Sequence, residues 1–233
     1  WTVAESEENA DWKAAELVAS HFDLRHHQHI LEPDAFERAL PNLIWHGEDI
    51  DVTVLFFQPL FETMAKKVKV GLCGQGADEL HAGYPRYRDL TQHALLLRQR
   101  LQSLPQSIQT TLEDGPLRTE EGWLSPHHRP EEQTKNLDEF LQFELDHGQL
   151  SNFQLRLVDR HSMAHSLEVR VPFLGTPHLK AANRLPMDWR LPSSLEEKAA
   201  LREAADLTGL PKEIVRRPKM PAGRATSPTM LQT

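Results

Sequence analysis

The run Val68-Lys69-Val70-Gly71-Leu72-Cys73-Gly74-Gln75-Gly76-Ala77-Asp78-Glu79-Leu80 narrows the folds open to this chain more than any other stretch. Apolar residues alternate as far as Cys73, two glycines follow, and a pair of carboxylates comes next. This order predicts a strand, a tight loop and the start of a helix. Glycines at such a junction let backbone N–H groups come close to an anion, and a helix N-terminus adds partial positive charge, so the loop suits phosphate or pyrophosphate. Asp78 then stands where a metal accompanying phosphate could be held. Glycine-rich strand-to-helix turns are also common packing devices, and the spacing alone does not choose between the two.

The segments before this loop alternate between the two periodicities. Asp11 serves as a candidate N-cap for a helix carrying Trp12, Ala15, Val18, Ala19 and Phe22, and Leu24 to Leu31 reads as a short strand. Pro33 and Asp34 open a second helix with Phe36, Leu40, Leu43 and Ile44 on one face, kinked at Pro41. Phe57, Leu60, Phe61, Met64 and Ala65 make a third apolar face. Strands alternating with helices predict a parallel sheet covered on both faces.

Beyond the loop the character changes. Leu90, Ala94, Leu97, Leu101 and Leu104 keep a helical stripe with no strand following, and helices are predicted again over Leu137 to Asp146 and Ser151 to Ser166. Between Pro105 and Thr134, breakers such as Gly115-Pro116, Gly122, Pro126 and Pro130 mark a long surface loop. The expected organisation is an α/β nucleotide-binding part over 1–89 and a mainly helical part over 90–233, ending in a Pro-, Ser- and Thr-rich tail from Lys219.

At 233 residues with 39% hydrophobic content, the chain can bury a substantial core. No run approaches the roughly 20 apolar residues that cross a bilayer, and no leader opens the sequence, so a cytoplasmic protein without a membrane partner is expected. One cysteine precludes an internal disulfide. The net charge of −8, with no long basic stripe, argues against nucleic-acid binding by counterion release. A mononucleotide needs only one local loop and a metal. The thirteen histidines include His26-His27-Gln28-His29 and His127-His128, which lack cysteines at zinc-ligand spacing.

A second marker lies far from the first: Val158-Asp159-Arg160-His161-Ser162-Met163-Ala164-His165-Ser166-Leu167-Glu168-Val169-Arg170-Val171-Pro172-Phe173-Leu174, followed by Glu197-Lys198-Ala199-Ala200-Leu201-Arg202-Glu203. With the loop, these segments resemble the synthetase domain of glutamine-dependent asparagine synthetases, whose GxGxDE loop, DRxSMAHxLExRxPFL segment and EKxxLRE helix occur in this order. The resemblance runs with gaps from about Trp1 to about Met220. It implies a parallel sheet of the adenine-nucleotide alpha-hydrolase, or PP-loop ATPase, type.

The resemblance further implies that ATP adenylates the side-chain carboxylate of aspartate and that ammonia, drawn from glutamine by a glutaminase domain, attacks the acyl-adenylate. Asparagine, AMP and pyrophosphate are the implied products, and a homodimer is expected of the full-length form. By position, Cys73, Gly74 and Gly76 correspond to loop residues that touch ATP, Ala4 to a strand-end residue whose backbone meets adenine, Asp78 to a ligand of Mg2+, and Lys198 to a lysine that stabilises the phosphates as pyrophosphate leaves. Gln75 stands at a catalytic position that carries glutamate in many relatives, and its neutral amide cannot act as a base. Read without the resemblance, Asp78 is a dipole-favoured helix residue and Lys198 an exposed lysine on a helix. Cys73 reads as a packing residue that can present its N–H, Glu79 as a structural acid paired with a neighbour, and Arg170 as the partner of Asp159 or Glu168. Gly175 replaces the aspartate that usually follows Pro-Phe-Leu.

The family's first phosphate loop, Ser-Gly-Gly-x-Asp-Ser, does not occur in the sequence and belongs upstream of Trp1, as does the glutaminase domain. The chain alone is therefore expected neither to hydrolyse glutamine nor to complete adenylation. Two other readings stand beside asparagine synthesis: a β-lactam- or peptide-cyclising relative of the same fold, and a non-catalytic descendant used for interaction. An oxidoreductase ranks last, because Gly-x-Gly-x-x-Gly and a later ribose-binding acid are lacking.

Overall fold

The computed structural model describes residues 1–48, 55–109, 136–146 and 148–220. In chain order its elements are β1 (Thr2–Ala4), α1 (Ala10–His21), β2 (Gln28–Ile30), α2 (Ala35–Asn42), α3 (Phe57–Ala65), β3 (Val70–Leu72), α4 (Ala77–Leu80), α5 (Leu90–Gln102), α6 (Leu137–Asp146), α7 (Leu155–Met163), β4 (Glu168–Arg170), α8 (Thr176–Ala182), α9 (Met187–Arg190), α10 (Ala199–Asp206) and α11 (Lys212–Val215). Two compact units share the chain. One takes the described residues of Trp1–Cys73, Arg156–Val171 and Arg202–Thr233; the other takes those of Gly74–Leu155 and Pro172–Leu201. Among the described residues no helix is long and apolar enough to cross a membrane.

Among the described residues, all four strands lie in the first unit. β1 pairs parallel with β2, Val3 opposite His29, and β3 pairs parallel with β4, Gly71 opposite Val169. The expected parallel pairing is present, but as two separate two-stranded sheets, and Leu72 is 70% exposed, so β3 is not covered on both sides. Val3, Leu31, Ala35 and Phe56 form one apolar cluster; Phe61, Met64, Val158 and Leu167 form another, joining α3, α7 and the segment before β4. Burial of this kind stabilises by about 25 cal/mol per Å² of apolar surface removed from water.

Local chemistry moved some predicted boundaries. The cap of α1 is Asn9, whose Oδ1 accepts the N–H groups of Asp11 and Trp12 at 2.8 and 3.2 Å, so Asp11 lies inside the helix. On α2 the buried positions are Ala35 and Ala39, continued by Leu43, while Leu40 and Ile44 are exposed. A π-helical turn over Leu43–Gly47 follows Pro41, whose ring cannot donate to the helical ladder, and it rotates the apolar face away from the simple 3.6-residue register. The strand expected over Leu24 to Leu31 shortens to β2.

The second unit is helical. Ala82, Tyr87, Phe140 and Leu141 centre its core, with Leu90, Leu137, Met187 and Leu191 packed around them. α6 coincides with its prediction. The predicted 151–166 helix begins as a π turn over Leu150–Gln154 and continues as α7. Most of the 105–134 loop, the tail beyond Met220 and the side chains of Leu97 and Leu101 lie outside the described residues. β4 lies in the part expected to be mainly helical; its Glu-Val-Arg triplet is too short to carry a periodic signal.

Candidate active site

β3 runs into the glycine loop at Cys73, in the first unit. The Cys73 N–H donates to the Arg170 carbonyl at 2.9 Å, extending the β3–β4 ladder. The expectation that Cys73 presents its N–H to a ligand is thus corrected: the sheet has taken that donor. Ala4 closes β1 in the same unit, fully buried, with its carbonyl accepting from Leu31 at 2.8 Å. Arg170 is exposed and its Nε donates to Glu168 Oε1 at 2.8 Å, an ion pair that fixes the strand end.

The rest of the loop belongs to the second unit. Among the described residues, the N–H groups of Gly74, Gln75 and Gly76 meet no backbone acceptor, whereas Ala77 N–H returns to the Gly74 carbonyl at 3.4 Å. Successive unengaged amides of this kind form an anion-binding concavity. Gly76 precedes α4 at φ 89°, and a Cβ there would overlap the Leu174 side chain, so both backbone and packing demand glycine. Gln75 is half-buried in the turn.

Asp78 follows in the first turn of α4, and the Lys198 Nζ lies 3.0 Å from its Oδ1. Both side chains are largely buried, 13% and 20% exposed. Gly83 closes against them: its N–H donates to the Asp78 carbonyl at 2.7 Å, and a Cβ at Gly83 would overlap Asp78 Oδ1. Lys198 does not sit on a helix, because α10 begins one residue later. Its own backbone is left-handed at φ 56°, a conformation that costs a non-glycine residue about 1–2 kcal/mol. Such strain marks positions that the surroundings over-determine. The preceding Glu197 is buried and paired with Arg88.

Around this pair lie groups that sequence reasoning missed or misplaced. Glu79 is fully buried, and among the described residues neither of its carboxyl oxygens meets a partner residue, which corrects the expected pairing with a neighbour. Burial pushes its carboxyl up to about 7, with Asp78 and Glu144 adding to the rise; its own backbone N–H and, less, the Arg86 charge oppose it. Arg86 instead donates to Glu144 Oε1 at 3.1 Å while its guanidinium lies 4.1 Å from the Tyr84 ring centroid. The guanidinium bonds Glu144 and reaches Glu79 through its charge alone, so Glu79 holds its proton more tightly than an ordinary acid.

His81, one turn after Asp78, meets His178 with Nε2 to Nε2 at 2.9 Å. Burial, then the charges of His178, Arg190 and Lys198, push His81 down to about 4, so it is neutral near pH 7. Arg190 is buried and donates to the carbonyls of Leu80 at 3.3 Å, Ala182 at 2.7 Å and Leu185 at 3.4 Å, which ties the C-terminal ends of α4 and α8 together. The i, i+3 relation of Asp78 and His81 was visible in the sequence; the partners from α6, α8 and α9 were not, since they depend on tertiary packing.

As a cation site, Asp78 offers one carboxylate, and the described residues contain no group of three or more metal-ligating side chains. That donor set fits Mg2+ arriving with a polyphosphate, which supplies further oxygens, rather than a cation held by protein alone.

Residues 2–232 match the asparagine synthase family. The chain belongs to this family. Relatives that bear the name asparagine synthetase [glutamine-hydrolyzing] include those of Mus musculus and Bos taurus, each 28% identical over 220 residues, and that of Homo sapiens, 27% identical over the same length. Each alignment covers 91% of this chain and 32% of the relative, so the chain spans about a third of the length of those proteins. The family's α/β character agrees with the parallel strand pairs and the helical second unit.

Proposed function

We propose that the chain is the downstream part of an ATP-dependent amidotransferase site of the PP-loop type, which adenylates the aspartate side chain and passes ammonia to it. The observation that carries this reading is the Lys198–Asp78 pair beside a turn with unengaged amides. In the reaction, an aspartate carboxylate oxygen attacks the α-phosphorus of ATP, and the bond to pyrophosphate breaks. The lone pair of ammonia then attacks the acyl carbon, AMP departs with the ester electrons, and the nitrogen sheds a proton. Anion meets anion in the first step, so charge neutralisation is the main demand on the site.

The amides of Gly74 and Gly76 are suited to phosphate oxygens, and Lys198 to the charge gathering on pyrophosphate. Mg2+ held by Asp78 would supply further electrostatic stabilisation of that charge. Gln75 can orient a substrate by hydrogen bonds but takes no proton, so the proton lost from nitrogen leaves by another acceptor. Adenine contact near Ala4, aspartate as acceptor, glutamine-derived ammonia and a homodimer all belong to the proposed full-length protein. The isolated chain is proposed to be inactive in adenylation.

The test is to incubate the full-length protein with aspartate, glutamine and MgATP and to follow asparagine, AMP and pyrophosphate together. Stoichiometric formation of all three, lost in Lys198→Ala, is expected. Pyrophosphate release without asparagine would favour a cyclising relative, and no release at all would favour a non-catalytic descendant.

A further inference from the structure

The interior of the second unit holds more hydrogen-bond acceptors than donors. Four segments meet there: α4 through Glu79, the 3-10 turn Pro85–Arg88 through Arg86, α6 through Glu144, and the π turn Leu150–Gln154 through Gln154. Glu79 is 0% and Glu144 2% exposed. Among the described residues, both carboxyl oxygens of Glu79, the Oε2 of Glu144 and the Oε1 of Gln154 are shut off from solvent and meet no hydrogen-bond partner in another residue. Buried polar atoms are almost always bonded, and oxygens left over in this number call for a bound species.

These oxygens belong to one cluster. Arg86 donates to Glu144 Oε1 at 3.1 Å and to the Tyr87 hydroxyl at 3.3 Å, and its guanidinium lies over the Tyr84 ring. The Gln149 backbone N–H also favours the Glu144 carboxylate, less than Arg86 does. Gln154 Nε2 donates to the Tyr84 hydroxyl at 3.0 Å, which commits one end of the amide and leaves Oε1 as the other. Glu79 feels the charges of Glu144 and Arg86, and Tyr84 feels that of Glu79.

Charge and valence then define the species. Asp78 is paired with Lys198, so the ionised cluster sets two carboxylates against one guanidinium and carries one uncompensated negative charge. A proton on Glu79 cancels that charge but supplies one donor for four acceptors. Water supplies donors and no charge. A monovalent cation cancels the charge and can draw ligands from all the oxygens, the donor type that hard cations prefer. A divalent ion would leave excess positive charge beside Arg86, and the described residues add no third acidic, imidazole or thiol ligand. Arg86 keeps 18% of its side chain exposed, so the cluster is not sealed from solvent. We infer that Glu79, Glu144 and Gln154 form a binding site for an alkali-metal cation inside the second unit. The site is structural and holds whether or not the chain takes part in adenylation.

Thermal melts of the chain at pH 8 test it, with NaCl or KCl replacing N-methyl-D-glucamine chloride at constant ionic strength. The organic cation is too bulky for a buried cluster. A saturable rise in melting midpoint of about 3 °C or more is expected with at least one of the two alkali cations. Glu79→Gln removes the excess charge and is expected to abolish the rise. Gln154→Leu removes one neutral ligand and is expected to raise the alkali concentration at half-effect roughly tenfold, an independent reading should Glu79→Gln fail to fold. Glu62→Gln, an exposed acid on α3, is expected to keep the wild-type response. Equal midpoints in the organic and alkali salts, a rise that does not saturate, or an undiminished response in Glu79→Gln or Gln154→Leu would each overturn the proposal.

Discussion

The ammonium of Lys198 lies 3.0 Å from the Asp78 carboxylate, although the two residues belong to separate motifs. Mostly buried opposite charges hold each other in place, and removing one leaves the other without compensation. Lys198→Met is expected to destabilise the chain by about 1–3 kcal/mol, and Asp78→Asn combined with it to recover part of that loss. Urea denaturation of both single variants and the double variant gives the coupling energy, expected at about 0.5–3 kcal/mol. A coupling near zero would show that the pair is not formed in solution.

Gly76→Ala should cost more than an ordinary glycine substitution, because the left-handed φ of 89° and the Leu174 side chain both oppose a Cβ. About 2–4 kcal/mol is expected from strain and overpacking together. Gly209→Ala is the matched control. Its φ is 80° but nothing lies within 4 Å of the added carbon, so only the backbone cost of about 1–2 kcal/mol applies. Equal losses in the two variants, measured as shifts in denaturation midpoint, would remove Leu174 from the account.

Glu79 makes stability fall as pH rises. Its carboxyl is raised from 4.5 to about 7 in the folded chain, so the folded state binds the proton more tightly. The associated stabilisation is fully present below 4.5 and is lost as pH climbs through about 7, a change on the order of 3 kcal/mol. Glu79→Gln should abolish that slope and leave the chain more stable than wild type above pH 7. A pH series of thermal melts checks both outcomes.

His81 works in the opposite sense. Its folded value is lowered from 6.5 to about 4, so the unfolded state binds more protons between those limits. Stability is full above 6.5 and declines as pH falls toward about 4. Between 4.5 and 6.5 the two contributions overlap and oppose each other, so His81→Gln is expected to leave stability falling as pH rises through that window and Glu79→Gln to leave it rising. Identical pH–stability curves for the two variants would remove these groups from the account.

Legibility in the sequence followed the range of the forces involved. α3 and α6 were readable because apolar residues recur over two turns or more, and the strand ending at Cys73 was readable from its alternation and its glycines. The cap of α1 was misplaced by two residues, since Asn9 and Asp11 carry equivalent capping chemistry and only geometry separates them. Lys198 was read onto a helix because Glu-Glu-Lys favours one, yet its backbone turns left-handed to meet Asp78. The Glu79–Arg86–Glu144 arrangement and the His81–His178 contact had no local signal at all. Each joins residues whose separate neighbourhoods look like ordinary solvated surface.

Arg190 binds the Leu80 and Ala182 carbonyls with one guanidinium, at the ends of α4 and α8. The segment bearing Asp78 and the segment bearing His178 are therefore coupled mechanically as well as electrically. Any rearrangement of this unit must move both helices as one body or release several charge-assisted bonds together, which places the pivots outside them.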